Sequence, residues 1–179
     1  MFRLFSSLIV ASLTGIILGF LAAKFKLIDQ FFKPIVSTLR ATPVVAIIII
    51  LLILVGRLNS VYIIVFLILF PIMYESVIGG VYKIDDNLID AFRLDPSTLF
   101  QTFFYMYLPL TLSNIKIALL QSVGLGFKVL VMAEFIAQTK NSIGLTLYEA
   151  SISINYSIIF AWSIIIIALA ISIEIVIHK

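Results

Sequence analysis

Cysteine is absent from these 179 residues, and histidine occurs once, at His178. Without thiols there is no disulfide and no thiolate metal site, and a single histidine does not furnish a buried transition-metal centre. Charge is scarce too. Asp, Glu, Lys and Arg make up 12% of the chain, about half of the roughly 25% found in a soluble domain. Apolar residues fill the space, 63% of the total, at a mean hydropathy of +1.23. A water-soluble chain of this size could not hide so much apolar surface, so the protein is integral to a membrane. The formal charge of +3 is no sign of a nucleic-acid partner. The basic residues cluster at the ends of apolar runs, where they act as topology determinants.

Other absences narrow the function. The spans hold no paired acids, no H-E-x-x-H and no Ser/His dyad, which argues against an intramembrane enzyme. A secondary transporter would normally show inverted repeats and midspan acids; five spans without a repeat argue against one. No P-loop G-x-x-x-x-G-K-[ST] is present, so the chain has no ATPase site of its own. No catalytic, metal or cofactor-binding residue is expected.

About 20 mostly apolar residues cross a hydrocarbon core of about 30 Å as a helix. Five segments qualify, at about 4–23, 35–56, 61–80, 112–135 and 153–177. The first is uncharged from Leu4 to Ala23, too long for a signal-peptide core, and is read as a retained span. All five should be helices, because an open strand in lipid leaves backbone polar groups unpaired. The expected fold is a single all-α transmembrane domain over 1–179, with a polar connection at about 82–110. If that connection is cytoplasmic, Lys24, Lys26, Lys33, Arg40, Lys83, Arg93, Lys116 and Lys179 share its side. Only Arg3, Arg57 and Lys140 lie opposite. The imbalance favours this sidedness; an odd number of spans then puts the N-terminus outside and the C-terminus in the cytoplasm.

The connection has a pattern. In "DDNLIDAFRL", Leu88, Ile89 and Phe92 share one helical face and Asp86, Asp90 and Arg93 the other. Asp95 and Pro96 supply an N-cap and first-turn proline, and Leu99, Phe100, Phe103, Phe104 and Tyr107 form a second apolar stripe ending at Leu108-Pro109. This reads as helix, break, helix. It suits an interfacial connector or an element seated in a partner's groove.

Here the sequence resembles a family. Asp90-Ala91-Phe92, Pro96 and Leu108-Pro109 fall in register with the E-A-A, glycine and L-P positions of the cytoplasmic "EAA" loop of binding-protein-dependent ABC importer permeases. Asp keeps the charge of Glu, and Pro in place of Gly still enforces a break. "FFKPIVSTLRATPVVAIIIILLILVG" resembles a second block of the nitrate/sulfonate/taurine-type permeases through Pro34, Arg40, Pro43 and Gly56. "GFKVLVMAEFIAQTKNSIGLTLYEA" resembles their W-K…A-E…G-L-G block, with Phe127 for the Trp and Thr146 for the last Gly. The resemblance spans about residues 10 to 177. It implies a type I importer permease, a helical subunit that does no chemistry. It also implies coupling to two ABC ATPase subunits, which carry ATP and Mg2+, through Asp90, Ala91, Phe92, Arg93, Asp95, Pro96, Leu99 and Phe100. A second permease copy and an extracytoplasmic solute-binding protein complete the set, for a small solute such as a sulfonate, nitrate, taurine or a pyrimidine precursor. The alternative is the scaffold subunit of an energy-coupling-factor vitamin transporter, whose Ala-Arg-Gly motifs this sequence lacks.

Within the fourth span, Asn114, Gln121 and Lys128 are spaced by seven, with Gly124 beside them. They either bond neighbouring helices or line the translocation path or the subunit seam. Glu134 at the end of that span is a terminal acid, or part of a gate or docking surface. Glu75 reads as structural and Arg40 as a topology anchor. Gly15 and Gly19 form a G-x-x-x-G close-packing motif.

Overall fold

The structure, a computed structural model, describes residues 2–85, 87–88 and 99–178. Among these residues the chain is helical, with no strand. In chain order, α1 spans Phe2–Lys24, α2 Lys26–Ala41, α3 Val44–Val81 and α4 Leu99–Thr102. A π-helical turn follows at Phe103–Tyr107, then α5 at Leu108–Ala137, α6 at Ile143–Ile152 and α7 at Tyr156–His178. Among the described residues three stretches are long and apolar enough to cross a membrane: Phe2–Lys24, Val44–Val81 and Phe103–Ala137. Tyr156–Ser172 within α7 is a shorter apolar helix. Helices suit this chain because each satisfies its own backbone polar groups where no water is available.

α1 and α3 meet at the G-x-x-x-G. A Cβ on Gly15 would stand 2.6 Å from the Met73 Cβ, and one on Gly19 2.9 Å from the Val77 Cβ. Only hydrogen fits, so the two backbones come close and gain packing that lipid cannot supply. The Ser7 hydroxyl donates to the Tyr62 carbonyl at 3.1 Å. Contact positions rise together on both helices, so α1 and residues 57–81 run parallel. α5 runs the opposite way between them: Gly80 abuts Thr111 and Asn114, and Gly126 abuts Leu4 and Leu69.

α3 cannot be straight. Glu75 lies 31 residues beyond Val44, about 46 Å along an unbroken helix, yet Glu75 pairs with Arg40, just before Val44. The chain doubles back at Gly56, whose φ of 78° and ψ of 174° lie in a region essentially confined to glycine. The limbs 44–55 and 57–81 therefore run in opposite directions, the order expected of the second and third spans.

Two expected boundaries are corrected. The sequence pattern predicts a second span at about 35–56, but the helix stops at Ala41 and restarts at Val44. Thr42 and Pro43 are extended there, with ψ of 132° and 126°, because a residue before proline is pushed out of the α region. Residues 35–41 belong to the amphipathic α2, and the limb 44–55 covers only about 18 Å. The second correction is at Leu108-Pro109, where a helix end was expected. Helix continues from Leu99 through Ala137. The π-helical turn explains how. The Leu108 N–H bonds back to the Phe103 carbonyl, and this wider turn relieves the clash that a proline ring makes with the preceding helical turn. The Thr111 hydroxyl caps the Tyr107 carbonyl at 2.7 Å.

Candidate functional site

Among the described residues polar groups gather at the start of the segment after α3, on one face of α5, and at the ion pairs Arg3–Glu134 and Arg40–Glu75.

The segment after α3 opens with a turn at Asp85, whose carboxylate accepts from the Asn87 N–H and side-chain amide, both at 2.9 Å. Such a local bond starts a turn. Asp90, Ala91, Phe92, Arg93, Asp95 and Pro96 lie outside the described residues. Leu99 and Phe100 form part of α4, which passes through the π-helical turn into α5. Phe103 packs edge-to-face on Phe20 of α1, with centroids 4.6 Å apart, and Met106 is buried. A displacement applied at Leu99 would thus enter a continuous helix seated on α1.

On α5 the structure separates the seven-residue stripe. Asn114 faces α3: the Ser76 hydroxyl donates to its carbonyl at 2.8 Å, and a Cβ on Gly80 would stand 2.7 Å from its side-chain nitrogen. Gln121 and Lys128 are exposed, on a face with Ile117 and Leu125, which are exposed as well. Space beside Gly124 is open. A straight helix drifts about 20° per seven residues, which rotates the stripe from the α3 contact at Asn114 to the bare face at Lys128. Lys128 lies nine residues from the end of α5, about 14 Å into the span, and joins no ion pair among the described residues. An ammonium at that depth costs about 2.5–3.5 kcal/mol against lipid, so this face needs water or another chain over it.

Glu134 stands apart from that face. It is 5% exposed and accepts from Arg3 at 2.8 Å; the second Arg3 nitrogen donates to the Lys140 carbonyl at 3.4 Å. The pair ties the start of α1 to the end of α5. Removing one partner of a buried pair typically costs about 3–5 kcal/mol. Gly144 closes the same corner. Its Cα faces the α5 backbone so closely that a Cβ would fall on the Phe135 nitrogen and 2.5 Å from the Glu134 Cβ. Gln138 in the left-handed region (φ 49°) ends α5, and the Ser142 hydroxyl caps α6 by accepting from the Leu145 N–H at 3.1 Å.

At the opposite end Arg40 pairs with Glu75. The hydrogen bond and the charge of Glu75 push the Arg40 guanidinium still further up from its ordinary value. The pair borders a cleft of about 650 Å³ between α2 and α3, with Asp29, Lys33 and Tyr82 also on its wall. Neither ion pair was evident from spacing, since the partners are 131 and 35 residues apart. Among the described residues no group of three His, Asp or Glu side chains could hold a metal.

Comparison with known proteins follows the same line. A family model described as "Binding-protein-dependent transport system inner membrane component" matches residues 15–178. Among solved structures, a chain of the MetNI methionine ABC transporter in an inward-facing conformation is similar over 99% of this chain and 90% of that one. The TM-score is 0.79 and the identity 15%. At that identity the likeness is one of fold. A comparison with curated proteins returned no match.

Proposed function

Because the chain belongs to the family of inner membrane components of binding-protein-dependent transport systems, we propose that it is the permease of an ABC importer for a small solute. The solute is of the sulfonate, nitrate, taurine or pyrimidine-precursor type. The family match over 15–178 carries this reading. The exposed α5 face adds to it: Gln121 and Lys128 belong in a span only if a second copy, with a water-filled path between the two, covers them. Residues 85–109 hand the work of two ATPase subunits, with their ATP and Mg2+, to α5. A solute-binding protein loads the opposite, extracytoplasmic side. The chain crosses a bacterial cytoplasmic membrane five times, through α1, the stretch from the end of α2 to Gly56, the limb 57–81, α5 and α7, with its N-terminus outside.

The absence of native cysteine makes orientation directly testable. In intact cells, Ser97→Cys should resist a membrane-impermeant thiol reagent and Asn141→Cys should react with it. The reverse pattern would overturn the orientation and the cytoplasmic assignment of residues 85–109. Lys128→Leu should insert at wild-type levels, since it removes a costly charge, yet change uptake or transport-coupled ATP hydrolysis by about tenfold or more if the ammonium lines the path. Unchanged uptake would remove Lys128 from the pathway.

A further inference from the structure

We propose that the groove at the Lys24 end of α1 is a binding site for one anionic phospholipid. The groove encloses about 410 Å³ between α1, the end of α3 and the π-helical turn. Its floor is the Phe20–Phe103 edge-to-face pair. Ile17 and Leu21 line it while remaining 56% and 38% exposed, so it opens along the outer side of the helix. From Ile17 to Lys24 it follows about 10 Å of helix axis, and among the described residues Lys24 is the one charged residue on its wall.

The position of that lysine selects the ligand. Lys24 ends a 23-residue apolar span, the level at which lipid phosphates meet basic side chains. Its ammonium stands 5.9 Å over the Phe25 ring and joins no ion pair among the described residues. Lys26, also exposed, follows two residues on. Hydrophobic gain cannot choose the occupant, because a lipid tail is as apolar in the bilayer as in the groove. The groove provides shape for one acyl chain, and the lysines provide discrimination, about fivefold for each basic residue near the headgroups. An occupant would rest on Phe103, the first residue of the turn that joins α4 to α5, and so would brace the junction through which residues 85–109 act.

The test uses the complete permease–ATPase complex in vesicles made of phosphatidylcholine and phosphatidylglycerol in equal parts, followed by native mass spectrometry of the extracted complex. Wild-type complex should retain phosphatidylglycerol over phosphatidylcholine by about tenfold or more. Lys24→Glu with Lys26→Glu should bring that ratio near unity, and Leu21→Trp, which fills the groove, should lower retention of both lipids. Lys24→Gln, a milder change at an exposed site, should give an intermediate ratio and guards against loss of the double variant. Retention indifferent to both charge variants would overturn the proposal. So would a Leu21→Cys thiol that cross-links efficiently to a second copy, which would make the groove a subunit contact.

Discussion

Gly144→Ala should destabilise the protein by about 3 kcal/mol or more, although it adds a single methyl group. The added carbon falls on the backbone of Phe135 and on the Glu134 Cβ, neither of which can swing aside as a flexible side chain could. Relief requires α6 to lift from the end of α5. That movement would pull at the Ser142 cap and disturb the turn whose Lys140 carbonyl accepts from Arg3. Helix preference alone would favour alanine by about 0.5–1 kcal/mol, so a loss isolates the steric term. Gly79→Ala is the matched control, since a Cβ there would meet nothing within 4 Å; Gly124, equally open in the single chain, stands on the face that a second copy would cover. Thermal unfolding of the purified complex should show Gly144→Ala well below wild type and Gly79→Ala at or slightly above it. Equal midpoints for Gly144→Ala and wild type would mean that α6 does not pack on α5 as described.

The contrast between Gly144 and Gly124 illustrates what the sequence could reveal. Uncharged runs announced the membrane helices, because insertion depends on composition summed along a segment. The G-x-x-x-G announced a close contact, and the contact lies between α1 and α3. Gly144 stood in the block that resembles a permease motif, but nothing in the sequence distinguished its crowding from the open space at Gly124. Contacts between distant residues were the least visible. Arg3 read as a topology charge and Glu134 as a span-end acid, and only folding joined them. Pro43 lies inside an apolar run whose greasiness outweighs its backbone effect, so the hydropathy pattern starts the second span too early. Pro109 gave the opposite error. A proline normally stops a helix, and no sequence signal marked the π-helical turn that lets this one continue. The α5 stripe was legible in register but not in rotation, since Asn114 turns toward α3 and Lys128 turns away.

The largest functional effect is expected from residues 85–109. Asp90 and Pro96 lie outside the described residues; the sequence pattern puts them just ahead of α4, which runs on into α5. Asp90→Lys reverses a charge that the sequence pattern puts on the polar side of an amphipathic segment, where a folding effect is usually within about 0.5 kcal/mol. At a partner's surface, like-charge contact costs several kcal/mol, so about a hundredfold or more in ATPase affinity should be lost. Pro96→Ala restores a backbone N–H where the sequence places a helix break. The two halves of the segment would then run on as one helix, misaligned with any groove that fits the broken form. Both variants should be produced and inserted as wild type is, so the loss should appear in coupling and not in abundance.

The most direct test that this chain is a permease driven through residues 85–109 is to purify each variant with its ATPase subunits and measure retained ATPase and solute uptake on the same preparation. Wild type should hold its ATPases and transport. Asp90→Lys and Pro96→Ala should lose the ATPase or hydrolyse ATP without uptake, at unchanged permease levels. Full ATPase retention with wild-type uptake in both variants would contradict the coupling role and leave residues 85–109 as a connector at the membrane surface.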